Sequence, residues 1–148
     1  MKASAAFVHE PDPDNPGWHT WTLSDESRFN GQVMGAMLVR TEGDDSARLR
    51  MVPKTLHSNL FDGVHGGVIM ALIDCALFAT AHTICTADAA GAVTLDIGCK
   101  FIGPARLDDP LDAVTQVLRE TGRLIFLRGL VEQDGVLVAS YSATIRKP

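Results

Sequence analysis

The chain of 148 residues is 46% hydrophobic and 21% charged, which fits one globular domain with a substantial core. Its net charge of −5 excludes the basic surface of a typical nucleic-acid-binding protein. The same charge gives the protein little electrostatic attraction to anionic lipid. The three cysteines lack CxxC spacing and no secretory signal is recognisable, so we expect a cytoplasmic protein with core cysteines.

The first thirty residues are predicted to form an N-terminal extension, and residues 31–148 the main domain. Pro11–Gly17 is rich in turn-forming residues, which excludes a helix or a central strand there. Trp18 and Trp21 follow and are expected to pin the extension to the body of the protein. Ser24–Asn30 is predicted to be a short helix that begins at Ser24 as N-cap and ends at Gly31.

Two strands and one long helix are predicted next. The strands cover about 35–42 and 47–53 and are joined by a turn at Gly43-Asp44-Asp45. A loop follows to Gly63, and the helix runs from about Gly66 to Cys85. This helix is apolar on all faces and nearly long enough to span a bilayer. Asp74 and His82 would be costly in lipid, so we expect a buried core helix and no membrane association.

Beyond the helix the hydrophobic period changes to two, which predicts strands. In the first strand one set of residues is expected on the half-buried face and Thr94 on the opposite face. The buried set is Val93, Leu95, Ile97, Cys99 and Phe101. Three further antiparallel strands are predicted at 111–120, 123–132 and 136–146. The simplest arrangement is an α+β fold in which one antiparallel sheet curls around the helix.

Asp74 and Gly66 carry the strongest chemical signal. A carboxylate within an apolar stretch is usually partnered, neutralised or functional. The Gly66-Gly67 pair resembles a helix start whose free N–H groups suit a negatively charged oxygen. Eight residues of helix separate Gly66 from Asp74, a rise of roughly 12 Å, so one carbonyl carbon cannot lie close to both groups of one chain. If both act on one substrate, two chains must share the site.

The segment Asn59-Leu-Phe-Asp-Gly-Val-His65-Gly-Gly-Val-Ile-Met-Ala-Leu-Ile-Asp74 resembles the signature of the PaaI-like (phenylacetate-pathway) branch of the hot-dog acyl-CoA thioesterases, within the 4-hydroxybenzoyl-CoA thioesterase superfamily. Thr94-Leu-Asp96, Phe101–Ala105 and Leu137–Ala139 also resemble family elements, and the similarity covers about residues 31–147. The resemblance implies a hot-dog fold and hydrolysis of an acyl-CoA. It also implies a homodimer or homotetramer, with no metal and no cofactor other than the coenzyme A of the substrate.

The resemblance also implies roles for individual residues. Asp74 would be the general base or nucleophile, and the Gly66 N–H would polarise the thioester carbonyl. Asn59 and His65 would shape that pocket, and Thr94 would orient the attacking water. Substrate contacts are expected from Gly67, Phe78 and Phe101. The candidates for holding the coenzyme A phosphates are Lys100, Arg106, Arg123 and Arg128.

Alternative interpretations remain at several positions. Asp74 could be a structural carboxylate, Asn59 an ordinary turn residue and Thr94 a solvent-facing strand residue. The whole protein could be a non-catalytic acyl-CoA or hydrophobic-ligand binding protein, since fold alone does not establish function. Hydration of an enoyl-CoA is a third possibility. A Cys75–His82 nucleophilic pair is disfavoured because two helical turns, roughly 10 Å, separate the two residues.

Overall fold

The computed structural model describes residues 6–85 and 88–148. One long helix, α1, covers Gly66–Ile84. Short helical turns occur at Asn30–Met34, Thr55–His57 and Ala89–Gly91. The strands are β1 Phe7–Val8, β2 His19–Thr20, β3 Thr22–Leu23, β4 Leu38–Glu42, β5 Ser46–Met51, β6 Val93–Phe101, β7 Leu111–Glu120, β8 Leu124–Gln133 and β9 Val136–Arg146.

Seven strands form one antiparallel sheet in the order β2-β4-β5-β7-β8-β9-β6. The predicted turns join neighbouring strands, and Gly43, Asp134 and Gly135 there all have positive φ values. Strand β6 enters the sheet at its far end, beside β9, although it precedes β7 in sequence. This placement leaves a nine-residue strand at the edge of the sheet, next to the helix that precedes it.

Helix α1 lies against the inner face of the sheet, as its apolar composition predicts. Alternate residues of β5 turn towards it: Ala47, Leu49 and Met51 are buried, whereas the residues between them are partly exposed. By length and composition α1 could span a bilayer, but half of its most apolar window is buried within the protein. The prediction of a core helix inside an antiparallel sheet is confirmed.

A row of residues across the inner face fixes the register of the last strands. Tyr141 on β9 lies across Gly129 on β8, and its hydroxyl is 2.6 Å from the Thr115 hydroxyl on β7. A Cβ atom at Gly129 would overlap the Tyr141 ring and the Val114 carbonyl oxygen. Only glycine therefore permits this buried tyrosine to reach its partner.

Gly129→Ala should destabilise the fold by about 1–3 kcal/mol, because the extra methyl group overpacks the sheet and displaces the Tyr141 ring. Urea unfolding checks this through the denaturation midpoint. Gly122→Ala is the matched control, since a Cβ there meets nothing within 4 Å. Equal midpoints for the two variants would contradict the steric role of Gly129.

The N-terminal residues add to the sheet and cover one end of α1. Strand β2 pairs with β4, while β1 and β3 form a separate two-stranded ribbon. Trp21 is only 1% exposed and donates its backbone N–H to the Met37 carbonyl. Trp18 is also buried, with the guanidinium groups of Arg40 and Arg50 over its ring at 4.5 and 4.6 Å.

The helix predicted at Ser24–Asn30 is wrong. The Asp25 carboxylate instead accepts hydrogen bonds from the Ser27 N–H and hydroxyl and from Arg28, which closes a tight turn. The helical turn begins later and covers Asn30–Met34, so Gly31 lies within it. Short polar side chains that bond to their own backbone compete with helix formation, which explains the difference.

Candidate active site

One backbone N–H group at the start of α1 has no hydrogen-bond partner among the described residues. His65 is the N-cap, and its Nδ1 accepts from the Gly67 N–H at 2.8 Å. The His65 carbonyl accepts from the N–H groups of Val68 and Ile69. Of the first four N–H groups of the helix, the Gly66 N–H alone has no partner among the described residues. The dipole of the helix start and this free donor together favour a negatively charged oxygen.

The loop before the helix is held by Asn59. Its side-chain oxygen accepts from the N–H groups of Phe61 and Gly63, at 2.8 and 3.1 Å, and its own backbone N–H donates to the Gly63 carbonyl. Within this loop Asp62 has a φ of 57°, and Phe61 is 90% exposed. Asn59 thus holds the loop through hydrogen bonds to the loop backbone, as an ordinary turn residue does.

Asp74 lies two helical turns further along and is bonded to Thr94 of β6. The Thr94 hydroxyl donates to the Asp74 Oδ1 at 2.6 Å, the short distance typical of a bond to a charged acceptor. Among the described residues, no donor bonds to the Asp74 Oδ2. One carboxylate oxygen is therefore fixed while the other stays available to a water molecule or a substrate.

The predicted face of Thr94 is wrong, and a β-bulge explains why. Thr94 pairs with Ile145 and Asp96 with Thr144, so Leu95 is an extra residue in β6. The bulge places Thr94 on the same face as Ile97 and Cys99. Val93 and Leu95, which were expected on the buried face, are 41% and 54% exposed.

The predicted site residues fall into two groups within one chain. The group at the helix start contains Asn59, His65, Gly66, Gly67 and Phe101, and a Cβ at Gly66 would lie 3.5 Å from the Phe101 ring. The group at mid-helix contains Asp74, Thr94 and Phe78. About 12 Å of helical rise separates Gly66 from Asp74, as expected from the sequence. A single chain does not bring the free N–H and the carboxylate to one carbonyl.

The neighbouring cysteine is not a rival nucleophile. Burial, and then the charge of Asp74, raise the pKa of the Cys75 thiol to about 12. The thiolate is the reactive form of cysteine, and it is scarce at neutral pH when the pKa is this high. This leaves Asp74 as the candidate reactive side chain in this part of the helix.

A surface depression of about 610 Å³ lies elsewhere. Outward-facing residues of β5, β7 and β8 form most of it, and Arg48 there pairs with Asp112 and Glu132. The four basic residues proposed for coenzyme A do not form one cluster. Arg106 lies beside Gly63 near the helix start, where Asp109 pairs with it, and Arg128 bonds Gln116 on the sheet.

Two features of the site could not be placed from the sequence. His57 is buried and supports the helix start: its carbonyl accepts from the His65 N–H, and its Nδ1 accepts from the Lys54 N–H. Residues of the N-terminal extension, Phe7 and Trp21 among them, line a cavity beside Asp74. The contact of the extension with the cavity has no local signal in the sequence, because it joins segments that are distant along the chain.

Solved structures share this architecture. The E. coli PaaI protein from the phenylacetic acid degradation operon is 18% identical, with a TM-score of 0.69, over 83% of this chain and 86% of that one. A mutant of the phenylacetic acid degradation protein PaaI from Thermus thermophilus is 23% identical, with a TM-score of 0.66, over 81% and 98%. Zebra fish thioesterase superfamily member 2 is 19% identical, with a TM-score of 0.68, over 80% and 86%.

At the sequence level, no curated protein matches the chain significantly. The family model "Thioesterase superfamily" matches residues 61–140, more than half of the chain. The matched region contains the helix start, Asp74 and Thr94. The chain belongs to the thioesterase superfamily and adopts the hot-dog fold.

Proposed function

We propose that this thioesterase is a cytoplasmic, PaaI-like enzyme that hydrolyses an acyl-CoA at a site shared by two copies of the chain. The observation that carries the proposal is the hydrogen bond from Thr94 to Asp74. A β-bulge turns the threonine inward, and the bond leaves one carboxylate oxygen free. Buried carboxylate oxygens with a purely structural role are usually hydrogen-bonded within the fold.

The chemistry needs a base and an oxyanion donor. Asp74 accepts a proton from water as the water oxygen attacks the thioester carbonyl carbon. The carbonyl oxygen gains negative charge and accepts a hydrogen bond from the partner's Gly66 N–H. Collapse of the intermediate breaks the C–S bond, and the thiolate of coenzyme A leaves and takes up a proton. The products are the free acid and coenzyme A. Alternatively, Asp74 attacks the carbonyl carbon itself, the C–S bond breaks with release of coenzyme A, and water hydrolyses the resulting anhydride to the free acid and Asp74.

The edge strand β6 supports the assembly that this chemistry requires. It is nine residues long, and its outer edge pairs with no strand of the described residues. Val93, Leu95 and Phe101 on it are each more than 40% exposed. A long edge strand with exposed apolar residues is a template for pairing with another chain. We infer that β6 pairs with β6 of a second copy around a two-fold axis.

In an antiparallel pair of β6 strands, the two groups of site residues in one chain run in the opposite order to those in the partner. On β6, Phe101 lies beside the helix start at Gly66, and Thr94 lies beside Asp74. When the two-fold axis crosses the strands near Gly98, Thr94 of one chain lies opposite the partner's Phe101. Each Asp74 then approaches the partner's Gly66, and the dimer has two equivalent sites.

The role of Thr94 is tested by Thr94→Val with Thr94→Ser as the matched control. The valine has the same shape but no hydroxyl, so kcat should fall by about 10- to 100-fold, which is the value of a hydrogen bond to a charged group. The serine retains the donor and should stay within a few-fold of the wild type. Equal kcat values for all three proteins would contradict a role for this bond in catalysis.

A thiol-release screen separates the function from its rivals. Purified protein is mixed with acetyl-, benzoyl-, palmitoyl- and crotonyl-CoA, and free thiol is followed. The proposal predicts thiol release that Asp74→Asn abolishes. Binding of these compounds without thiol release would favour a ligand-binding protein. Loss of the crotonyl double bond without thiol release would favour a hydratase.

A further inference from the structure

A small cavity next to Asp74 is built partly by residues outside the region that matches the family model. Its volume is about 220 Å³. Helix α1 contributes Asp74, Cys75 and Phe78 to its lining, and the remaining walls come from two other segments. We refer to this cavity as the acyl chamber.

The N-terminal extension forms one wall of the acyl chamber. Phe7 on β1 and Leu23 on β3 are paired across the small ribbon, and the Phe7 ring stacks on Trp21 with 4.4 Å between the ring centroids. Trp21 is anchored to the body by its bond to the Met37 carbonyl. The family model begins at residue 61, so this wall is an addition to the part of the chain that the model describes.

The opposite wall is made of small side chains. Ala89, Ala90 and Ala92 line the chamber from the turn that precedes β6. Apart from Asp74 and the protonated thiol of Cys75, the lining has no ionisable group among the described residues. Aromatic and aliphatic groups, with the amide of Asn30, surround a single carboxylate and suit an uncharged group attached to a reacting carbonyl.

The volume limits the size of such a group. A cavity of about 150 Å³ accommodates benzene, whereas pockets for drug-sized ligands begin at about 300 Å³. The acyl chamber lies between these limits, so it accommodates one six-membered ring or a short branched chain. A long fatty acyl chain exceeds it.

We propose, on the basis of the proposed function, that the acyl chamber, with the N-terminal extension as one wall and the alanine turn as another, sets the acyl specificity of this enzyme. The acyl group enters the chamber between Phe7, Trp21 and Phe78, while its carbonyl carbon lies at Asp74. Phe7 and Trp21 close the far end, and the alanine turn provides the room for a ring. The preferred substrates are short or single-ring acyl-CoAs.

Filling the chamber from the alanine turn tests this proposal. Ala90→Leu should lower kcat/KM for benzoyl-CoA by about tenfold or more, since a mismatch of a few methylene groups in an apolar pocket has this effect. The kcat/KM for acetyl-CoA should stay within about twofold, because the acetyl group does not reach the alanine turn. Ala36→Leu, at an exposed position outside the chamber, is the matched control. A benzoyl-to-acetyl ratio unchanged by Ala90→Leu would overturn the proposal.

A binding measurement keeps this test independent of turnover. Calorimetric titration with benzamide, an uncharged analogue of the benzoyl group, should show binding to the wild type and to Ala36→Leu that Ala90→Leu abolishes. If the wild type hydrolyses no acyl-CoA but binds benzamide in this way, the chamber proposal is supported and the proposed function fails. If acyl-CoAs are hydrolysed and Ala90→Leu alters neither the substrate ratio nor benzamide binding, the chamber proposal alone fails.

Discussion

Replacement of Asp74 by asparagine should lower kcat for acyl-CoA hydrolysis by about 10²- to 10⁴-fold, the usual contribution of a positioned base. The amide has nearly the shape of the carboxylate and still accepts the Thr94 hydroxyl through its oxygen. It cannot take a proton from water or attack the carbonyl carbon. The loss should therefore appear in kcat, measured by thiol release at saturating substrate.

Asp44→Asn is the matched control for this change. Asp44 is an exposed carboxylate in the turn between β4 and β5, strands that are remote from β6 in the sheet order. Its replacement removes the same charge and should leave kcat within about twofold of the wild type. If Asp74→Asn and Asp74→Ala both retain kcat within about tenfold, Asp74 is neither base nor nucleophile.

Gly66→Pro should have the second largest effect, a loss of about 10²- to 10³-fold in kcat, because proline removes the one N–H of the helix start that has no partner among the described residues. Proline is well tolerated at the first position of a helix. His65 has φ −63° and ψ 137°, the extended conformation that a residue before proline prefers. The variant should therefore fold, and its circular dichroism and unfolding midpoint check this.

Gly66→Ala separates the donor from the space around it. The alanine retains the N–H, and its Cβ would lie at ordinary contact distance, 3.5 Å, from the Phe101 ring. Its kcat should exceed that of Gly66→Pro by about tenfold or more. A folded Gly66→Pro enzyme as active as Gly66→Ala would show that this N–H does not stabilise the oxyanion.

Much of the fold could be predicted from the sequence because its signals are local. The strands at 111–120 and 136–146 have the predicted bounds, and α1 ends within a residue of the prediction. Hydrophobic period and glycine-bearing turns carry this information. The sheet order, with β6 beside β9, is a tertiary property that periodicity does not contain.

The candidate site residues could be chosen from the sequence, but their geometry could not be predicted. Asp74 could be chosen because it is a carboxylate within an apolar stretch, and the helix start could be predicted from the Gly66-Gly67 pair. The face of Thr94 was predicted wrongly because a strict alternation was assumed across Leu95, where one extra residue reverses it. The helix predicted at Ser24–Asn30 was also wrong because of a local effect. Asp25 bonds to nearby backbone and side-chain donors, which favours a turn over a helix. The acyl chamber joins residues 7, 21 and 90, and no local pattern links them.

Mixing two inactive variants tests the shared site most directly. Asp74→Asn and Gly66→Pro are co-expressed with different tags, and the mixed dimers are compared with each variant alone. In a mixed dimer one site receives the intact acid of one chain and the intact amide of the other. Random pairing should therefore restore about one quarter of wild-type kcat.

Catalysis within single chains predicts the opposite. Every chain in the mixture carries one defect, so activity would stay at the level of the two separate variants. Recovery in the mixture supports a carboxylate and an oxyanion donor that face each other across two subunits. No recovery from mixed dimers that are shown to form would contradict it.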